Sequence, residues 1–114
     1  MNLIVLKSLL PSLREKKRYV VFEIESKRPV SFSSIRIAIE RSLISFLGEF
    51  GLAKAGVIFP SDFKSQRGIL RVSHTSVHLV RAALSLIANI NKEPVIVKTI
   101  YTSGVLLRAR RYVR

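Results

Sequence analysis

The chain has 114 residues, 48% of them hydrophobic, no cysteine and a formal net charge of +13 at neutral pH. That length suits one domain able to bury a core unaided, and the apolar fraction excludes a disordered chain. Without cysteine there is no disulfide framework, no thiolate zinc site and no cysteine nucleophile, which is compatible with a cytoplasmic protein.

The chain starts with an apolar stretch, Met1 to Leu10, interrupted by Asn2, Lys7 and Ser8 and ended by Pro11. Ten residues cannot cross a hydrocarbon core of about 30 Å, and no small-residue cleavage site follows. No membrane association is expected. Next comes a run of cations, Arg14, Lys16, Lys17 and Arg18, mirrored at the other end by Arg108, Arg110, Arg111 and Arg114. The chain therefore reads as a single domain, 1–114, with a basic N-terminal arm (1–18) and a basic C-terminal tail (104–114). A globular core framed by cationic arms suits a polyanion, whose condensed counterions are released when its phosphates are neutralised. Arg14, Lys16, Lys17 and Arg18, with Arg108, Arg110 and Arg111, are the candidate RNA-binding residues.

Tyr19 to Glu25 alternates, with Val20, Phe22 and Ile24 on one face and Tyr19, Val21, Glu23 and Glu25 on the other, which predicts a strand. Lys27-Arg28-Pro29 ends it. Ser31 or Ser33 can cap a long helix on which Ile35, Ala38/Ile39, Ser42/Leu43, Phe46/Leu47 and Phe50 recur at three and four residues. Gly48 and Gly51 stop it. Ile37 and Ile44 fall off that stripe and mark either a second contact surface or the crowding of a wide core-facing stripe.

Gly56 to Pro60 reads as a short strand, Ser61 to Gln66 as a polar turn, and Gly68 to Ser73 as another alternating strand. Ser76 caps a second helix through Val77, Val80, Leu84 and Ile87, reaching Asn89-Ile90-Asn91. Pro94 opens a last strand, Val95 to Thr102. The tail from Val105 suits a short amphipathic helix.

The predicted fold is α+β: a split βαβ (ferredoxin-like) βαββαβ sandwich, with a four-stranded antiparallel sheet, two helices on one face and a short C-terminal helix. The first and third strands become central neighbours. The other sheet face then carries Tyr19, Val21 and Ile69, apolar area that needs a cover: the C-terminal segment, a protein partner or RNA. Those three, with Ile37 and Ile44, are the candidate protein-interface residues.

Catalytic chemistry is poorly supported. His74 and His78 are four apart, but His74 ends a strand and no Glu or Cys is placed to complete a metal site. Glu23 and Glu25 share a strand face, and an ion pair with Arg71 on the neighbouring strand explains them better than acid–base work. No glycine-rich phosphate loop is present. No cofactor or metal is expected for this chain. The same fold serves as an RNA-recognition motif when aromatics on its central strands stack bases. Arg67-Gly68 begins like that motif's signature, but Ile69 and Arg71 stand where its aromatics belong. Recognition of folded RNA by shape and backbone is the better fit.

The run Leu10-Pro11-Ser12-Leu13-Arg14-Glu15-Lys16-Lys17-Arg18-Tyr19 resembles the opening of the archaeal ribonuclease P protein component 2 family. Further matches follow in order: Phe46-Leu47-Gly48-Glu49 with Gly51, Ala55-Gly56-Val57, Arg67-Gly68-Ile69 with Arg71-Val72, Val80-Arg81-Ala82-Ala83-Leu84, Val95-Ile96-Val97 and Ser103-Gly104. The resemblance spans about residues 10 to 112, and Leu106 to Arg111 follow it only loosely. It implies a non-catalytic subunit of the ribonucleoprotein that removes the 5′ leader of precursor tRNA, with the RNA and its magnesium carrying the chemistry. It also implies binding to ribonuclease P RNA and precursor tRNA, to ribonuclease P protein component 3, and to a second copy of itself in a heterotetramer. Two other classes share the fold: a ribosomal or RNA-chaperone protein, and a small regulatory ligand-binding domain. The second needs a Gly- and Asp-lined loop where this chain has Ser26-Lys27-Arg28-Pro29-Val30-Ser31.

Overall fold

The structure, a computed structural model, describes residues 16–114. Its centre is strand β1 (Lys17–Glu25), hydrogen-bonded on both sides, with β3 (Arg67–Ser73) and β6 (Ile96–Ser103) as antiparallel neighbours. A short β2 (Phe63–Lys64) adds to the far side of β3 and gives the order β2-β3-β1-β6. The α+β split βαβ expectation therefore holds, including the central pairing of the first and third strands, β1 and β3. The edge beside β3 departs from it. Gly56 to Pro60 contributes only a single bridge, Ile58 to Arg71, and the paired edge residues are Phe63 and Lys64, inside the segment expected to be a turn.

Two tight turns use left-handed residues other than glycine. Ser65 and Gln66 (φ 54° and 62°) reverse β2 into β3, and Asn91 and Lys92 (φ 52° and 66°) join β4 (Asn89–Ile90) to β5 (Glu93–Pro94). Two successive positive φ values match the right-handed twist of a hairpin, which is why the geometry recurs despite its local cost. Gln66 gains a compensating pair of bonds: its amide oxygen accepts from the Val30 N–H at 2.9 Å and its amide nitrogen donates to the Val30 carbonyl at 3.1 Å.

Helix α1 runs Phe32–Ala55, past the glycines expected to end it. Ser31 caps it, its hydroxyl accepting from the Ser34 N–H, and Gly56 closes it in the left-handed conformation with its N–H donating to the Leu52 carbonyl. Gly48 (φ 73°, ψ 172°) breaks the helix without stopping it. The chain turns there so that Leu52 and Ala55 still reach the core, while Phe46 and Phe50 of the expected stripe face outward. Helix α2 (Val77–Ser85) follows a single 3₁₀ turn (His74–Ser76) and stops earlier than its periodicity suggests, because Asn89 to Pro94 forms the small hairpin instead. The Ser42 hydroxyl donates to the Ala83 carbonyl at 2.6 Å and ties the two helices together.

The sheet has a core on each face. Val20, Phe22, Ile24, Leu70 and Val72 bury against Ile35, Ile39 and Leu43 of α1 and Val80 and Leu84 of α2. On the opposite face Val21 and Ile69 bury against Ala109 and Val113 of the tail. The tail folds as α3 (Leu106–Arg110), the short C-terminal helix expected.

Candidate nucleic-acid interface

Where β1 begins, β3 and β6 end. Lys17 lies opposite Ser73 and Tyr19 opposite Ser103, so antiparallel pairing brings the basic arm to the point where the tail departs. The arm is held there through its backbone. The Lys16 carbonyl accepts from the His74 N–H at 2.9 Å, and the His74 ring Nδ1 lies 3.1 Å from the same oxygen. Arg18 donates to the Lys17 carbonyl at 3.0 Å, and its guanidinium lies close beside Gly104, where a β-carbon would meet Nη1 at 3.4 Å. Lys17 extends toward Gly56 at the carboxyl end of α1, where an ammonium meets the negative end of the helix dipole. Lys16, Lys17 and Arg18 thus form one anchored group. Arg14 lies outside the described residues.

From Gly104 the tail crosses the outer sheet face. Arg67 grips its far end, donating through Nε to Glu23 at 2.7 Å and through Nη1 to the Tyr112 carbonyl at 3.0 Å. Arg110 donates to Asp62 at 2.9 Å, so this candidate RNA-binding residue straps the tail to the loop before β2. Arg108 and Arg111 stay exposed and line a groove of about 470 Å³ with Tyr101 and Tyr112. The two tyrosine rings stack, with centroids 4.1 Å apart and planes 19° from parallel.

The outer face corrects one expectation. Val21 and Ile69, read as interface residues, are fully buried beneath the chain's own tail and are core. Tyr19 is half-buried against the same cluster. Short apolar anchors at Ala109 and Val113 let the tail lie flat on the sheet, which a purely cationic segment would not do. Ile37 and Ile44 are half exposed, on the outer side of α1, as the off-stripe reading requires. Ile58 shares a groove with Ile44, and Phe46 and Phe50 are exposed on either side of the kink at Gly48. A groove of about 610 Å³, whose walls include Ile44, Leu52 and Ile58, lies in the crook.

The ion-pair expectation also shifts by one partner. Glu23 pairs with Arg67, not Arg71, because the register sets Glu23 opposite Arg67 and Tyr19 opposite Arg71. Glu25 pairs with Lys98 at 2.6 Å, and that contact, by hydrogen bond first and charge second, raises the Lys98 ammonium above its ordinary 10.5. His74 and His78 are exposed, and among the described residues no three His, Cys, Asp or Glu side chains gather as a metal site would require. No described helix is long and apolar enough to cross a membrane.

Sequence reading missed the tyrosine pair. Tyr101 and Tyr112 belong to different elements, and their only linear signal was two tyrosines embedded in the basic C-terminal region.

Comparison with known proteins agrees with this architecture. The ribonuclease P protein component 2 of Thermococcus gammatolerans is 41% identical over 106 residues, covering 92% of this chain and 88% of that protein. The proteins of the same name from Thermococcus kodakarensis and Methanosarcina barkeri are 39% and 36% identical, covering 92% and 91% of this chain and 88% and 76% of their own lengths. A chain in the cryo-EM structure of yeast Ribonuclease MRP superposes with a TM-score of 0.61 at 17% identity, covering 86% of both chains, and so shares the fold. Residues 18–114, from the end of the basic arm through the tail, match the family model itself, and the chain belongs to the Rpp14/Pop5 family.

Proposed function

We propose that this chain is a non-catalytic protein subunit of ribonuclease P, binding and supporting the RNA that removes the 5′ leader of precursor tRNA in the cytoplasm. Carrying this reading is the coincidence of family membership over residues 18–114 with an anchored cationic group and a cationic tail on one fold. Cations fixed on rigid elements meet phosphates without first losing their own conformational freedom. In this reading the chemistry and its magnesium belong to the RNA.

The protein partners are ribonuclease P protein component 3 and a second copy of this chain. Their surface is the outer side of α1, where Ile37 and Ile44 present apolar area that the described residues leave uncovered. An apolar patch rimmed by charge is the usual composition of a protein contact.

Reconstitution tests the reading. Purified, RNA-free chain leaves precursor tRNA intact at every magnesium concentration, while chain, cognate ribonuclease P RNA and partner proteins together cleave it. Cleavage by the RNA-free chain, or reconstituted activity indifferent to omitting it, overturns the proposal.

A further inference from the structure

The groove over the outer sheet face combines a braced aromatic ring with two cations that no described carboxylate pairs. Tyr101 supports one face of the Tyr112 ring, and Tyr112 remains 39% exposed. Arg108 and Arg111 stand four and one residues before Tyr112 and line the same groove. Neither makes an ion pair among the described residues, whereas Arg110 between them is held by Asp62. The platform is rigid: Ala109 and Val113 are buried on either side, and Arg67 holds the Tyr112 carbonyl.

We propose that Tyr112, backed by Tyr101 and flanked by Arg108 and Arg111, is a stacking site for an unpaired nucleotide of RNA. The inference rests on the RNA-binding reading above and adds the class of RNA element the tail recognises. An aromatic face selects a flat π-system, and flanking guanidiniums select the phosphates on either side of it. A base inside a duplex has no free face to offer, so the site takes a bulge, loop or single-stranded end. A volume of about 470 Å³ suits a small ligand and not a helix. The site differs from that of an RNA-recognition motif, because its rings come from edge strand β6 and the tail, not from the central strands.

The chain contains no tryptophan, so a Tyr112→Trp variant of the full-length protein carries one indole, placed at the site. Its fluorescence is titrated with a single-stranded oligoribonucleotide of about ten residues, an abasic oligomer of equal length, and a duplex, a range matched to known single-strand site sizes. The single strand quenches the indole, and the abasic oligomer and duplex do not. Tyr112→Leu weakens single-strand binding about fivefold to a hundredfold, as losing one base stack does, while duplex affinity stays within about twofold and Tyr112→Phe restores binding. Arg108→Ala with Arg111→Ala flattens the single-strand salt slope by about 0.7 for every phosphate no longer neutralised, and these exposed side chains can be removed without disturbing the fold. Equal quenching by all three probes, or unchanged affinity in Tyr112→Leu, overturns the inference. In a parallel titration an acidic peptide leaves the indole unquenched; quenching by that peptide and by none of the nucleic acids overturns the inference and reassigns the groove to a protein. Duplex binding without single-strand quenching overturns the stacking site and leaves the RNA-binding reading intact; binding to neither RNA overturns both.

Discussion

Gly68 faces Phe22 across the β1–β3 ladder, and a methyl group built on Gly68 would sit 2.5 Å from the tip of that ring. The glycine is the space in which the largest side chain of the main core lies. Arg67-Gly68 resembled part of an RNA-recognition signature in the sequence, yet its glycine serves packing and its arginine clamps the tail. Gly68→Ala should therefore destabilise the fold by about 1–3 kcal/mol through overpacking. Adding Phe22→Leu should recover part of that loss, and a double-mutant cycle by denaturant unfolding should show coupling between the two positions. Additive effects would mean that the ring does not depend on the gap.

Ile69 is core beneath the tail, so its loss should be felt by the isolated chain. Ile69→Ala should cost about 2–5 kcal/mol, the range for a buried large-to-small change. Ile69→Asp should prevent stable folding, since it places a carboxylate among Val21, Ala109 and Val113. Thermal unfolding of the free chain checks both. A normal melt combined with lost partner binding would return Ile69 to an interface.

Lys16, Lys17 and Arg18 are anchored together beside the tail, with Arg14 four residues before Arg18 in sequence. Replacing all four by alanine should weaken RNA binding by similar factors across unrelated sequences. The slope of log affinity against log salt should flatten by about 0.7 to 0.9 for each phosphate that the arm ceases to neutralise. An unchanged slope would assign the group to solubility.

The Glu25 carboxylate raises the Lys98 ammonium above its usual 10.5, through a hydrogen bond and then through charge. A raised folded value means that this contact favours the folded state at neutral pH and stops doing so as pH climbs past 10.5 through the folded value. The contribution is small, because the pair is open to solvent. Lys98 should titrate above its ordinary 10.5, a difference read by NMR at the side-chain carbon next to nitrogen. Glu25→Gln should remove the difference.

Much of the scaffold was legible along the chain. Alternation over Tyr19 to Glu25 and Gly68 to Ser73 identified the central strands, since side chains two apart share a sheet face whatever surrounds them. Apolar spacing from Ile35 to Leu43 identified α1, and the density of Arg and Lys at both ends pointed to a polyanion before any contact was known. These are local properties, set by covalent geometry and charge. Tertiary structure alone decided the rest. Helix α1 outlives Gly48 because Leu52 and Ala55 find the core beyond the kink, a gain no local signal contains. Ser65, Gln66, Asn91 and Lys92 take left-handed conformations because paired strands on either side require them. Ile69 loses its expected exposure, and Tyr112 gains a partner that no local pattern signalled, for the same reason: the tail folds back, burying one beneath Ala109 and Val113 and setting the other on Tyr101. Those contacts join residues tens of positions apart or on different elements, and only the closing of the chain brings them within reach.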